Sequence, residues 1–104
     1  IATSTMIDDK PSAFRYPRGE GTGVKISKYP TPWEIGKAKI ITEGTKVCIL
    51  SLGTRLSESM KSAQSLAPYG LSTTVVDARF AKPIDEDLLL NLYKNHQILL
   101  NFNW

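Results

Sequence analysis

The chain has 104 residues, of which 41% are apolar and 22% are charged, and its formal net charge is +3. This size permits one small domain or parts of two. No apolar run is long enough to cross a bilayer, and the basic residues are scattered rather than clustered, which argues against nucleic-acid binding. We therefore expect an ordinary globular protein with no membrane and no nucleic acid as partner.

The single cysteine, Cys48, lies in the apolar run of residues 47–50. One cysteine excludes an internal disulfide and a multi-cysteine metal site. A thiol in an apolar strand ionises with difficulty and reacts slowly, so Cys48 is predicted to be a core residue. A reducing, cytosol-like compartment fits this cysteine usage.

The first third of the chain predicts little regular structure. Residues 1–7 resemble the tail of a helix that a turn at residues 8–11 ends. Residues 12–16 alternate like a short strand, which Pro17 terminates. The glycines of residues 19–23 indicate a flexible exit, and residues 25–35, which contain Pro30 and Pro32, are typical of an interdomain linker.

The rest of the chain alternates between strand-like and helical patterns. Residues 37–42 and 45–52 are predicted strands joined by a tight hairpin turn at Glu43-Gly44, and the second is apolar enough to be covered on both faces. A helix follows, with Thr54 as its N-cap and Gly70 at its end. Its apolar stripe is Leu56, Met60, Ala63 and Ala67.

The next elements repeat this order. Residues 72–77 predict a strand, Asp85 caps a second helix, and residues 97–102 predict a third major strand. The buried stripe of the second helix is Leu88, Leu89, Leu92 and Tyr93, and His96 is a cap or core contact at its end. This order predicts right-handed crossovers and a largely parallel sheet, about half of a doubly wound α/β domain, whose last strand leaves an unpaired edge.

Two arginines are the candidate binding residues. Arg15 lies between Phe14 and Tyr16, and Arg79 lies just beyond the carboxyl end of the strand at residues 72–77, where open α/β sheets bind ligands. A guanidinium grips phosphate or carboxylate through two parallel hydrogen bonds. For either arginine taken singly, an ion pair with a nearby carboxylate is the commoner explanation.

Three motifs in order resemble the 1-deoxy-D-xylulose-5-phosphate synthase family: Ile-Asp-Asp-Lys-Pro-Ser at 7–12, Phe-Arg-Tyr-Pro-Arg-Gly at 14–19 and Asp-Ala-Arg-Phe-Ala-Lys-Pro-Ile-Asp at 77–85. The resemblance extends from about Ile1 to Leu100. It implies that residues 1–24 are the tail of a pyrimidine-binding domain, 25–36 a linker, and 37–104 the first half of a transketolase-type C-terminal domain. The implied fold is a partial doubly wound, mostly parallel α/β sheet, preceded by a strand and linker from an upstream α/β domain.

The resemblance implies a thiamine-diphosphate-dependent transferase. Such an enzyme condenses pyruvate with D-glyceraldehyde 3-phosphate, with loss of CO2, to give 1-deoxy-D-xylulose 5-phosphate for isoprenoid, thiamine and pyridoxal biosynthesis. Arg15 and Arg79 would bind the phosphate of glyceraldehyde 3-phosphate from two domains, and Arg18 would position the strand. The family's catalytic residues and its ligands for thiamine diphosphate and Mg²⁺ lie outside this stretch, so the chain alone is expected to be inactive. A homodimer in the bacterial cytoplasm or plastid stroma is implied.

One departure from the family and three alternatives stay open. Residues 101–104 replace the acidic pair expected at the end of the last strand. A transketolase or the β subunit of a 2-oxoacid dehydrogenase shares the C-terminal domain, and a non-catalytic interaction module fits the short length and basic charge. The arginine pair separates the synthase from such relatives, because a dehydrogenase β subunit has no sugar phosphate to bind and need not keep both arginines.

Overall fold

The computed structural model describes residues 1–103, which divide into two compact units, Ile1–Ile35 and the stretch from Gly36 onward. The first unit contains a short helix, α1 (Ala2–Thr5), followed by irregular chain. Within it, the backbone amide of Trp33 donates a hydrogen bond to Thr3 Oγ1 at 2.8 Å, which ties the end of the unit to its start. The predicted domain boundaries at residues 24 and 36 stay predictions.

Residues 12–16 do not form the predicted strand. Phe14 and Tyr16 are 51% and 72% exposed, and their ring centroids are 6.1 Å apart, as side chains on one side of an extended segment would be. In the described part of the chain, every strand pairs within the sheet of the second unit, so this segment has no neighbouring strand to complete a ladder. The alternation of side chains in residues 12–16 therefore predicted an extended segment, but a strand also needs a neighbouring strand for its hydrogen bonds.

The second unit is built on a four-stranded sheet of β1 (Lys39–Thr42), β2 (Val47–Ser51), β3 (Thr73–Asp77) and β4 (Ile98–Phe102). Its strand order is β1-β3-β2-β4. β2 runs parallel to both β3 and β4, whereas β1 pairs with β3 in antiparallel fashion. The predicted α/β architecture with a mostly parallel sheet is confirmed, and β4 lies at an edge as expected.

The predicted hairpin between β1 and β2 is wrong, because β3 lies between them. The connection crosses the amino end of β3, where Gly44 N donates to Thr74 Oγ1 at 2.9 Å and Thr45 N donates to Ser72 Oγ at 2.7 Å. A Cβ on Gly44 would overlap the backbone of Thr73. Glycine at position 44 thus lets the connection pass close to the backbone of Thr73, rather than forming a hairpin turn.

The sheet has a helix on each face. One face packs against α3 (Glu86–Asn95) through a cluster of five buried residues: Cys48, Leu50, Val76, Ala78 and Leu92. The opposite face, with Val47, Ile49 and Val75 buried, contacts α2 (Leu56–Leu66). All five residues of β2 are buried, which confirms that its apolar run is covered on both faces.

Both helices form as predicted, with local corrections. Asp85 caps α3, and Gly70, with φ of 72°, closes the short 3₁₀ turn Ala67–Tyr69 that follows α2. Thr54 is not the N-cap of α2, because a 3₁₀ turn at Gly53–Arg55 moves the helix start to Leu56. Tyr93 was predicted to be buried but is 70% exposed, because the buried side of α3 is centred on Leu92.

No helix within residues 1–103 is long and apolar enough to span a bilayer.

Candidate functional site

A row of side chains crosses the sheet at the carboxyl ends of the parallel strands. The strand register sets Lys39 of β1 opposite Asp77 of β3, and Asp77 beside Ser51 of β2, with Phe102 of β4 completing the row. Residues in register on neighbouring strands project from the same face. The row therefore combines a cation, a carboxylate and a hydroxyl at the edge where α/β sheets bind ligands.

Arg79 follows β3 in a tight three-residue turn. Its φ is 61°, and across it the amide of Phe80 donates a hydrogen bond to the carbonyl of Ala78 at 2.6 Å. This is a γ-turn with positive φ at its centre, a rare and strained conformation. Arg79 is the one residue other than glycine with positive φ in the described chain, and such strain persists where the surrounding structure enforces it.

Asp77 contacts Arg79 twice. Its carboxylate accepts a hydrogen bond from the backbone amide of Arg79, and its Oδ2 lies 3.8 Å from Arg79 Nε. The two side chains are 17% and 21% exposed, so the pair is largely shielded from water. Burial raises the pKa of Asp77, and the opposing effects come from that backbone hydrogen bond and from the charges of Arg79 and Lys39.

Ser51 is the most buried member of the row. Its side chain is inaccessible, and its Oγ has no hydrogen-bond partner among the described residues. Its backbone carbonyl accepts from the amide of Ala78 at 2.8 Å, which continues the β2–β3 ladder to the start of the turn. The β2–β3 ladder therefore extends to the residue before Arg79.

The sequence located Arg79 correctly, just past the end of β3, but did not single out Lys39 or Ser51. Asp77 was not predicted to be a site residue either. The signal that could have found the row is the register of strand ends, and this register depends on β3 lying between β1 and β2.

Arg15 and Arg18 lie in the first unit, on exposed chain. Arg79 lies in the second unit. The prediction that Arg15 and Arg79 bind one phosphate together stays a prediction, and so does the positioning role of Arg18.

The other residues considered for chemistry have structural roles. Cys48 is inaccessible in the core, and burial raises the pKa of its thiol to about 11, which confirms the core assignment. His96 Nδ1 lies 2.9 Å from the carbonyl of Leu92 in the last turn of α3, which confirms the predicted cap. Within residues 1–103 no group of three or more His, Cys, Asp and Glu side chains could hold a metal ion.

The mostly parallel sheet, its covering helices and its polar carboxyl edge define an α/β domain of the doubly wound class. Residues 36–103, more than half of the chain, match the family described as the transketolase C-terminal domain, and the chain belongs to that family. Its fold is similar to a solved structure described as a split-gene transketolase, an inactive β4 tetramer, with a TM-score of 0.65 and 28% sequence identity. That similarity covers 68% of this chain and 24% of the other, so the chain spans about a quarter of that relative.

Proposed function

We propose that this chain is part of a 1-deoxy-D-xylulose-5-phosphate synthase, in which Arg79 and Arg15 bind the phosphate of D-glyceraldehyde 3-phosphate. One observation carries the proposal: Arg79 is held in a strained turn at the carboxyl end of β3, beside a largely buried carboxylate. A solvated surface arginine needs neither the strain nor the partner. The identity of the substrate is inferred from the three sequence motifs that resemble this synthase.

The environment of Arg79 suits phosphate binding. Its Nε lies 3.8 Å from Asp77 Oδ2, and a planar guanidinium can bind a phosphate in bidentate fashion. Its side chain is 21% exposed, and hydrogen bonds between charged groups are stronger where water is largely excluded. Clamping a remote phosphate would orient the aldehyde for reaction and remove motional freedom before the transition state.

Transketolase-family enzymes use thiamine diphosphate with a divalent metal ion. When bound, the thiamine diphosphate supplies the carbon–carbon bond chemistry. The described residues provide no metal-ligand cluster, so they do not fit the metal-diphosphate group. We propose that this chain contributes substrate binding and orientation, and that the complete enzyme is a homodimer of the bacterial cytoplasm or plastid stroma.

The test is steady-state kinetics of the complete protein that carries this chain. Arg79→Ala, and separately Arg15→Ala, should raise KM for glyceraldehyde 3-phosphate and leave KM for pyruvate nearly unchanged. The loss of one charge-assisted contact corresponds to about 10- to 150-fold in kcat/KM. Arg79→Lys should recover part of this loss, because an ammonium keeps the charge without the planar fork.

Arg55→Ala is the matched control, since Arg55 is an exposed arginine paired with Glu58 at 2.8 Å. It should change neither KM. An equal effect of Arg79→Ala on both substrates, or none on either, would contradict the phosphate-binding assignment.

A transketolase is the second candidate, and the 28% identity to a split-gene transketolase favours it. The same complete protein, supplied with a sugar-phosphate donor in place of pyruvate, separates the two. Turnover that requires pyruvate supports the synthase, and turnover with the sugar-phosphate donor alone supports the transketolase.

A further inference from the structure

We propose that Asp77 is a positioning residue that fixes the backbone turn and the guanidinium orientation of Arg79 for phosphate binding. This role rests on the phosphate-binding function proposed above. Asp77 would thus assist phosphate binding indirectly, although the negative charge of its carboxylate repels the phosphate.

The geometry links one carboxylate to both ends of the same arginine. The backbone amide of Arg79 donates to Asp77, and Arg79 Nε lies 3.8 Å from Asp77 Oδ2. The first contact lies at the turn in which Arg79 has φ of 61°, and the second brings the carboxylate within ion-pair distance of the guanidinium, although 3.8 Å is too long for a hydrogen bond. A side chain that accepts from the amide two residues later is a common way for aspartate to stabilise a turn.

The electrostatic surroundings of Asp77 are asymmetric. Burial disfavours the charged carboxylate, while Arg79 and Lys39, on β1, favour it. On β2 the register neighbour is uncharged Ser51, and on α2 the acidic residue of the first turn, Glu58, is paired with Arg55. Replacing Asp77 by asparagine therefore removes a repulsive charge and a desolvation cost but also removes the ionic partner of Arg79.

Because these effects oppose each other, the direction in which Asp77→Asn changes KM for glyceraldehyde 3-phosphate in the complete enzyme tests the proposal. If Asp77 positions Arg79, KM for glyceraldehyde 3-phosphate should rise about fivefold, because the ionic partner that orients the guanidinium is lost, with KM for pyruvate unchanged. If Asp77 only repels the phosphate, that KM should fall instead. Asp77→Glu should recover part of the affinity because it keeps the carboxylate, and it also serves as the second variant should Asp77→Asn fold poorly.

Two further readouts separate positioning from a general structural role. The melting temperature of Asp77→Asn should change little, because the desolvation cost of the carboxylate disappears together with the ionic partner of Arg79, and the amide oxygen can still accept the backbone hydrogen bond. KM for glyceraldehyde 3-phosphate should increase in the wild type as Asp77 is protonated in acid, and this increase should be missing in Asp77→Asn. Titration of the substrate phosphate is common to both proteins and cancels in their ratio.

The control is Asp87→Asn, which makes the same change at an exposed aspartate in the first turn of α3. It should alter neither KM. If Arg79→Ala raises KM for glyceraldehyde 3-phosphate but Asp77→Asn leaves it unchanged or lowers it, the positioning role is overturned and the phosphate site stands. If Arg79→Ala itself has no effect, the proposed function fails. A loss of melting temperature with equal increases in both KM values would show Asp77 to be merely structural.

Discussion

Asp85 Oδ2 accepts a hydrogen bond from the backbone amide of Ala38 at 3.0 Å, while Oδ1 of the same carboxylate accepts from Leu88 N at 3.3 Å. One side chain thus caps α3 and ties its start to the chain entering β1. The cap was predictable from the sequence, but the bond to Ala38, 47 residues away, was not.

Asp85→Ala should lower the free energy of unfolding by about 2 kcal/mol, because it removes an N-cap and leaves the partly buried amide of Ala38 without its acceptor. Asp85→Asn should cost about half as much, since one acceptor oxygen is kept. Urea denaturation followed by circular dichroism would measure both. Asp87→Ala, in the exposed first turn of α3, is the control, and an equal loss there would contradict the dual role of Asp85.

His96, Thr74 and Gly44 form a hydrogen-bonded group at the opposite, amino-terminal edge of the sheet. His96 Nδ1 can only donate to the Leu92 carbonyl, and Nε2 lies 2.7 Å from Thr74 Oγ1 and 3.1 Å from the carbonyl of Gly44. Thr74 Oγ1 also accepts from the amide of Gly44. The group joins β3 to the end of α3 and to the connection between β1 and β2.

Thr74→Val should reduce the free energy of unfolding by about 1 to 3 kcal/mol, because it keeps the side-chain shape but leaves two partly buried groups, the Gly44 amide and His96 Nε2, without the hydroxyl. Thr74→Ser keeps the hydroxyl and should cost clearly less. In a double-mutant cycle with His96→Ala, the two losses should fail to add, since each removes the same bond. Strict additivity in urea denaturation would show that the Thr74–His96 contact carries no energy.

Cys48 provides a test of the core and of its pH dependence. Burial raises the pKa of the folded thiol from 9.0 to about 11, so the folded state retains its proton more tightly than the unfolded state. Stability from this group is complete below pH 9.0 and falls as pH rises toward about 11. At 1.36 kcal/mol per pKa unit the loss approaches roughly 2 to 3 kcal/mol.

The unfolding free energy of the wild type should therefore drop more steeply between these pH values than that of Cys48→Ala, which lacks the group but shares every other titration. Labelling by a thiol reagent at neutral pH should be slow in the folded protein and fast in guanidinium chloride. Parallel pH profiles for the two proteins, or rapid labelling of the folded chain, would argue against a protected thiol.

Local sequence patterns predicted elements but not their neighbours. The apolar run of β2 and the cap at Asp85 are local signals, and both are confirmed. The adjacency of β1 and β3 depends on a tight crossing at Gly44, which local pattern could not distinguish from a hairpin turn. The prediction that Tyr93 is buried was wrong, because periodicity gives the direction of the apolar stripe on a helix but not its width.

The candidate site likewise has features that the sequence predicted and features that it did not. The end of β3 fixed the location of Arg79, because ligand sites gather at the carboxyl edge of parallel strands. Its positive φ and its two contacts with Asp77 were beyond sequence reasoning, since an arginine gives no local signal for a left-handed backbone. The row of Lys39, Asp77 and Ser51 required the strand order itself.

Arg79 itself offers the sharpest test of the strained turn. At an ordinary position glycine is less stable than alanine by about 0.5 to 1 kcal/mol, because its unfolded chain has more freedom to lose. At φ of 61° the order should reverse, since a Cβ in the left-handed region costs about 1 to 2 kcal/mol. Arg79→Gly should therefore unfold at a higher urea concentration than Arg79→Ala, with Arg79→Asn between them because asparagine tolerates this region. Under the function proposed above, the Gly and Ala variants should bind glyceraldehyde 3-phosphate equally poorly, because both lack the guanidinium. Their stabilities should then differ while their affinities stay equal. An alanine variant as stable as the glycine variant would show that the turn relaxes when the arginine is removed, and that the strain does not belong to the backbone.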